Sequence, residues 1–280
     1  MKLSDLMEAT KPDYLIVPGD VNSTLAAGIA ANKIGIPLGH LESGLRSLDR
    51  SMPEEINRLL VDEISNDFFV TEQSGLDNLK REGKPDSSVH FVGNTMIDTL
   101  VAYGPQIEKS EVLEDCNVEK GKFVLMTMHR PSNVDNKKGL LFIIDLIKDL
   151  AKDNKVVFPI HPRSKKRFEE FNLWNELERI KQLKLTGPMD YFGFQKLVKY
   201  AAYILTDSGG IQEESTFRQV PCLTIRENTE RPITCEIGTN QLVEANKEVI
   251  LHAMSNPKSG DIPPLWDGKA TWRVLEKLIP

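Results

Sequence analysis

Cysteine is scarce in this sequence: three residues, Cys116, Cys222 and Cys235, scattered along 280 positions and never spaced as Cys-x-x-Cys. An odd, dispersed set excludes a disulfide framework and leaves no zinc-binding spacing, so a reducing, cytoplasmic setting is expected. Long hydrophobic runs are missing too; none approaches the roughly 18 residues of a membrane span. The opening stretch MKLSDLMEATKPD is polar and amphipathic and lacks the apolar centre of a signal peptide. No tract of low complexity occurs, nor any repeat at solenoid spacing. Positive charge is not in excess: 35 Lys and Arg against 41 Asp and Glu give a net charge of −6. That balance argues against a nucleic-acid partner, although a local basic pocket remains open. No membrane partner is expected either.

What is present is a chain with 40% hydrophobic residues, long enough for about two domains. Short apolar runs alternate with longer amphipathic ones, the rhythm of βα units on parallel sheets. YLIVPG (14–19), PLGHLE (37–42), DFFVT (67–71) and VHFVGN (89–94) read as strands, separated by helices such as 22–34 and 53–65. The stretch 104–121 is polar and ends in glycine, which places a domain boundary there. A second series follows: strands FVLMTMH (123–129), KVVFPI (155–160), LKLTGP (183–188), AAYILTD (201–207) and PCLTIR (221–226), with helices over 136–152, 163–171 and 190–200. The expected architecture is α/β, with a first domain over 1–104 and a second over 105–280, the final helix packing back on the first. Against the five or six strands of a doubly wound sheet, the first domain looks half-sized.

Several motifs fall where such sheets keep their ligands, just past the ends of strands. In TDSGGIQEE (206–214) a strand ends, a glycine pair permits tight backbone, and a helix begins near Gly210. Amides of Ser208, Gly209 and Gly210 at a helix N-terminus would suit a diphosphate. Glu213 and Glu214, one turn on, could accept bonds from ribose hydroxyls. An ordinary βα turn capped by Asp207 or Ser208 is the competing reading. HRPSN (129–133) sets His129 and Arg130 past a strand, where an imidazole could bind phosphate or act as an acid. Asp20, Glu42 and Glu54 follow or face strand ends, and Arg58 lies four residues beyond Glu54, on the same helix face. These carboxylates, facing His129 across an interdomain cleft, form an acid–base set. No metal-ligand spacing accompanies them, so proton transfer without a metal is the expected chemistry.

With VPGDVNSTLA, GHLESGLRS, MPEEINR, MHRPSN, PIHP, TDSGGIQEE, RENTERP and EIGTN in this order, the sequence resembles the non-hydrolysing UDP-N-acetylglucosamine 2-epimerases. The resemblance spans nearly the whole chain. It implies a glycosyltransferase-B-like fold, two Rossmann-like domains with the active site between them. It also implies interconversion of UDP-N-acetylglucosamine and UDP-N-acetylmannosamine, by elimination of UDP to a 2-acetamidoglucal and re-addition. By position, the resemblance implies proton-transfer roles for Asp20, Glu42 and Glu54, and a place beside the diphosphate for His129. It makes Ser208, Gly209 and Gly210 the phosphate turn, Glu214 the ribose ligand and Phe194 a neighbour of the uracil. Arg58 matches the motif arginine, His161 a histidine of a conformational or regulatory region, and Arg130 and Arg231 are further candidate substrate residues. The expected partner is a UDP-2-acetamido sugar, with a homodimer as the assembly and no cofactor or metal.

Two departures stand out. The family pattern HRxEN reads HRPSN here, with Ser132 in place of a carboxylate. No GTRPE-like loop occurs, and Met1 aligns with an internal helix, so the first strands of the N-terminal sheet are expected to be absent. Two other readings therefore stay open: a catalytically impaired UDP-sugar-binding fragment, and a UDP-sugar glycosyltransferase of the same architecture.

Overall fold

The computed structural model describes residues 2–279. They divide into two compact units. The first contains the chain through Thr99, the short segment Glu230–Ile233 and the stretch from Pro263 onward; the second contains Leu100–Thr229 and Thr234–Ile262.

In the first unit, β1 (Leu15–Pro18), β2 (Leu38–Leu41), β3 (Asp67–Val70) and β4 (Val89–Phe91) form a parallel sheet in that spatial order. Each connection moves one strand in the same direction, so right-handed crossovers put the linking helices on one face. Val17, Leu38 and Val61 form the buried core there, with Leu25 and Ile64 packed against it. The opposite face is covered from the far end of the sequence. Val274 and Leu278, on the helix Ala270–Leu278, pack against Phe69 and Val92. The indole of the fully buried Trp266 donates to the Thr71 carbonyl at 3.0 Å, and Asp98 accepts the Ala270 amide at 3.0 Å. Gly93 marks the crossing point: at φ +85°, its added Cβ would lie 2.2 Å from the Leu265 carbonyl oxygen. No alanine fits there without displacing that segment.

In the second unit, β5 (Phe123–Thr127), β6 (Lys155–Pro159), β7 (Leu183–Thr186), β8 (Tyr203–Thr206), β9 (Cys222–Ile225) and β10 (Asn240–Val243) form a six-stranded parallel sheet ordered β10-β9-β8-β5-β6-β7. Phe123, Val124, Leu125 and Met126 are fully buried, as expected of a strand covered on both faces. From β5 the chain runs outward through β6 and β7, then returns to start β8 on the other side of β5. The carboxyl ends of β5 and β8 therefore flank a reversal of strand order, the place where open α/β sheets leave a crevice for ligands.

Two sequence expectations need amending. The stretch 104–121, read as polar, carries the helices Gly104–Lys109 and Val112–Asp115 and buries Ile107, Val112, Leu113, Cys116 and Val118. Its apolar residues are spaced among charges, which hides the buried face from a composition count. β10 was not anticipated, because its four residues, NQLV, carry no apolar run. Burial of Asn240 against β9 replaces that signal with hydrogen bonding.

Candidate active site

The two strand ends at the reversal are tied together by one carboxylate. Asp207, just past β8, is completely buried and accepts from the amides of His129 (3.0 Å) and Arg130 (2.8 Å) and from Asn133 Nδ2 (3.0 Å). Its other strong contact is the imidazole: His129 Nδ1 stands 2.9 Å from Oδ1. Burial alone would raise the Asp207 carboxyl, but the bonds from His129, Asn133 and the Arg130 amide hold it below the usual range. Asp207 thus stays ionised, and the His129 Nδ1–H donates to it, which aims Nε2 away from the carboxylate. Arg130 Nε donates to the Asp207 carbonyl at 3.0 Å. In sequence terms Asp207 had been only a helix-cap candidate; its partners lie 74 to 78 residues away, out of reach of any local pattern.

The helix Gly209–Arg218 starts immediately after, with Ser208 at its N-cap but no cap bond from the serine hydroxyl. The Ser208 amide turns inward, donating to Thr206 Oγ1 at 3.0 Å. This differs from the three outward amides expected from the sequence. Gly209 and Gly210, in the first helical turn, have no carbonyl one turn back to accept their amides.

A cavity of about 370 Å³ opens at this point, lined among others by His129, His161, Phe194, Ser208, Gly210 and Glu214. His161 caps the helix Pro162–Glu170, its Nδ1 accepting the Arg163 amide at 3.1 Å. The bond leaves the ring proton on Nε2, and partial desolvation, then His129 and Arg163, lower its basicity. The His129 and His161 rings lie 5.4 Å apart. Of the two adjacent glutamates only Glu214 lines the cavity, while Glu213 is fully buried. Burial pushes the Glu214 carboxyl up to about 7, against a bond from Gln195 and the charge of Arg218. Gln195 is itself buried and was not singled out in the sequence.

The remaining candidates belong to the first unit. Asp20 Oδ2 accepts from Arg58 Nε at 2.9 Å, and Asn57 Nδ2 holds the Asp20 carbonyl at 2.8 Å. Arg58 is buried and pairs also with Glu55, at 2.5 Å, and not with Glu54. Glu55 is buried and accepts the Ser47 amide (2.8 Å) and the Leu48 amide (3.1 Å), which pins the loop after β2 to the helix Pro53–Ile64. Glu54, in the first turn of that helix, is exposed. Glu42 follows β2 in the left-handed region, φ 65°, and its carboxyl lies 3.5 Å from Arg231 Nη2. Burial raises the Glu42 carboxyl and Asp20 adds to the shift, while Arg231, His40 and Arg58 oppose it. Burial thus makes the Glu42 carboxylate a stronger proton acceptor than an ordinary glutamate.

Among the described residues, no group of three or more His, Cys, Asp or Glu side chains is arranged to hold a metal ion. No helix is long and apolar enough to cross a membrane.

Known proteins share this fold. The family described as UDP-N-acetylglucosamine 2-epimerase matches residues 1–279. A UDP-N-acetylglucosamine 2-epimerase of Methanocaldococcus jannaschii is 41% identical over 286 residues, covering 99% of this chain and 78% of that protein. Its crystal structure with UDP-GlcNAc and UDP superposes with a TM-score of 0.87, covering 99% of this chain and 79% of the other. The UDP-GlcNAc-bound 2-epimerase of Neisseria meningitidis, 31% identical, gives a TM-score of 0.89 with 99% and 79% coverage. A family match over residues 1–279 and 41% identity across 99% of its length make the chain a member of the UDP-N-acetylglucosamine 2-epimerase family.

Proposed function

We propose that the chain interconverts UDP-N-acetylglucosamine and UDP-N-acetylmannosamine. The observation that carries this reading is the cavity at the strand-order reversal, which brings together the groups a nucleotide diphosphate needs. Gly209 and Gly210 offer amides at a helix N-terminus, and His129, held by Asp207, offers a second donor for developing negative charge. Glu214 takes the ribose hydroxyls and Phe194 the uracil face. In the first unit Asp20, Glu42 and Glu54 supply proton transfer at C2, with Arg58 and Arg231 fixing the first two. Loss of the C2 proton to a carboxylate accompanies cleavage of the C1–O bond, so UDP departs with the bonding pair and a 2-acetamidoglucal remains. Return of a proton to the opposite face of C2 and re-addition of UDP at C1 complete the inversion. Arg130 and His161 border the diphosphate end. Free, mostly buried thiols suit a cytoplasmic setting.

The test is incubation with UDP-N-acetylglucosamine in deuterated water. Deuterium at C2 together with the manno epimer is expected; UDP-sugar binding without either would leave a binding protein. Glu214 provides a second check. With a carboxyl near 7, it is mostly protonated at about pH 6 and mostly ionised at about pH 8. A ligand that needs the ionised form loses affinity as pH falls through that value. UDP-N-acetylglucosamine carries no phosphate monoester, so its own charge is constant over this range. Its affinity should rise roughly tenfold from pH 6 to pH 8, and the rise should vanish in Glu214→Gln. A slope that persists in that variant would place the titrating group elsewhere.

A further inference from the structure

Beneath the candidate carboxylates of the first unit lies a buried histidine that the proposed mechanism does not use. His40, on β2, is 0% exposed, and both its ring nitrogens face acceptors. Nδ1 is 2.6 Å from Asp62 Oδ1, and Nε2 is 2.8 Å from the Gly19 carbonyl oxygen. A carbonyl oxygen cannot donate, so Nε2 must carry a proton. Asp62 is itself committed as an acceptor: its Oδ2 receives the Gly44 amide at 3.0 Å and Arg46 Nη2 at 2.7 Å. Burial works to raise the Asp62 carboxyl, but His40 and Arg46 outweigh it and hold it below the usual range. An ionised Asp62 requires a proton on Nδ1 as well.

The placement of this ring is what gives it consequence. Gly19, at φ +63°, immediately precedes Asp20, so the bond from Nε2 fixes the peptide plane from which Asp20 departs. Arg58 and Asn57 then hold the Asp20 carboxylate and carbonyl from the other side. Glu42 lies two residues beyond His40, and the charge of His40 is among those favouring its ionised form. On the same loop, the Gly44 amide is held by Asp62, the partner of the ring. We infer that His40 is a positioning residue, doubly protonated, which aims Asp20 through the Gly19 carbonyl and places a fixed positive charge beside Glu42.

The inference rests on the epimerase reading for its effect on turnover, but its first test does not. In the folded chain with ¹⁵N-labelled histidine, both His40 ring nitrogens should show protonated shifts and directly bonded protons at neutral pH. A bare nitrogen on His40 overturns the proposal, whatever the chain catalyses. The second test is His40→Gln, which can donate to one acceptor only. It should lower kcat at least tenfold while the KM and the UDP dissociation constant stay within about twofold, since the nucleotide groups are in the other unit. If His40 acts through Asp20, the same change in an Asp20→Asn background should cost far less. Equal losses in both backgrounds, or a folded His40→Gln chain with parental kcat, overturn it. Should His40→Gln fail to fold, the nitrogen shifts of the unaltered chain still decide. A parental chain with no turnover would instead remove the epimerase reading and leave the protonation result standing.

Discussion

Replacing Glu42 with glutamine is expected to lower kcat by roughly 10²- to 10⁴-fold, the span typical of a positioned general acid or base. The amide preserves size and can still accept a bond from Arg231, 3.5 Å away in the parent, so the fold should survive. What it loses is the capacity to take a proton. Burial has already made that carboxyl more basic than an ordinary glutamate, and the gain in basicity is useful only for proton transfer. UDP affinity should be unchanged within about twofold, because a group acting only in the chemical step leaves ground-state binding alone. The parent's pH profile should carry the same signature. Its acidic limb should lie above the normal carboxylate range, because the ionised form of Glu42 is lost as pH falls through its raised value. Parental kcat in Glu42→Gln would reduce Glu42 to a structural partner of Arg231.

The second large effect is expected at Asp207. Asp207→Ala removes the acceptor shared by two backbone amides, Asn133 and the His129 ring. Each buried donor left unsatisfied costs about 1–3 kcal/mol, so this variant should be markedly less stable. Asp207→Asn is the sharper test. It keeps the shape and one acceptor oxygen, but it brings an NH₂ group against donors and takes the negative charge from beside the imidazole. Misaiming one preorganised donor at a leaving diphosphate costs roughly 10²- to 10³-fold in kcat. The loss should appear in kcat more than in melting temperature, measured by calorimetry. An Asp207→Asn chain that turns over like the parent would show that His129 needs no carboxylate behind it.

The rhythm of short apolar runs and amphipathic stretches made the parallel-sheet architecture readable, since buried parallel strands such as FVLMT need continuous apolar character. Order within the sheet was not readable. That β5 and β8 are neighbours depends on pairing across 79 residues, seen in the Thr127 and Thr206 hydroxyls 2.7 Å apart. The site followed the same division. Residues in dense motifs, His129, Gly210 and Glu214, gather around one cavity. Their supports were hidden: Asp207 because its partners are distant, Gln195 because a single buried amide has no pattern. In MPEEINR, spacing set Glu54 and Arg58 on one face. The structure instead buries Glu55 with Arg58, because the inward side of that helix is decided by the loop it clamps, Ser47 and Leu48.

The strap that closes the first unit's sheet has a consequence for the order of synthesis. β1 to β4 leave the ribosome before the six-stranded unit, but Val274 and Leu278, which cover one face of that sheet, follow that unit in sequence. Until they emerge, Phe69 and Val92 have no lid. The first unit is therefore completed only after the whole six-stranded unit has been polymerised. That interval is when its open face is most exposed to wrong partners. Removing the helix Ala270–Leu278 should accordingly injure the first unit and spare the second.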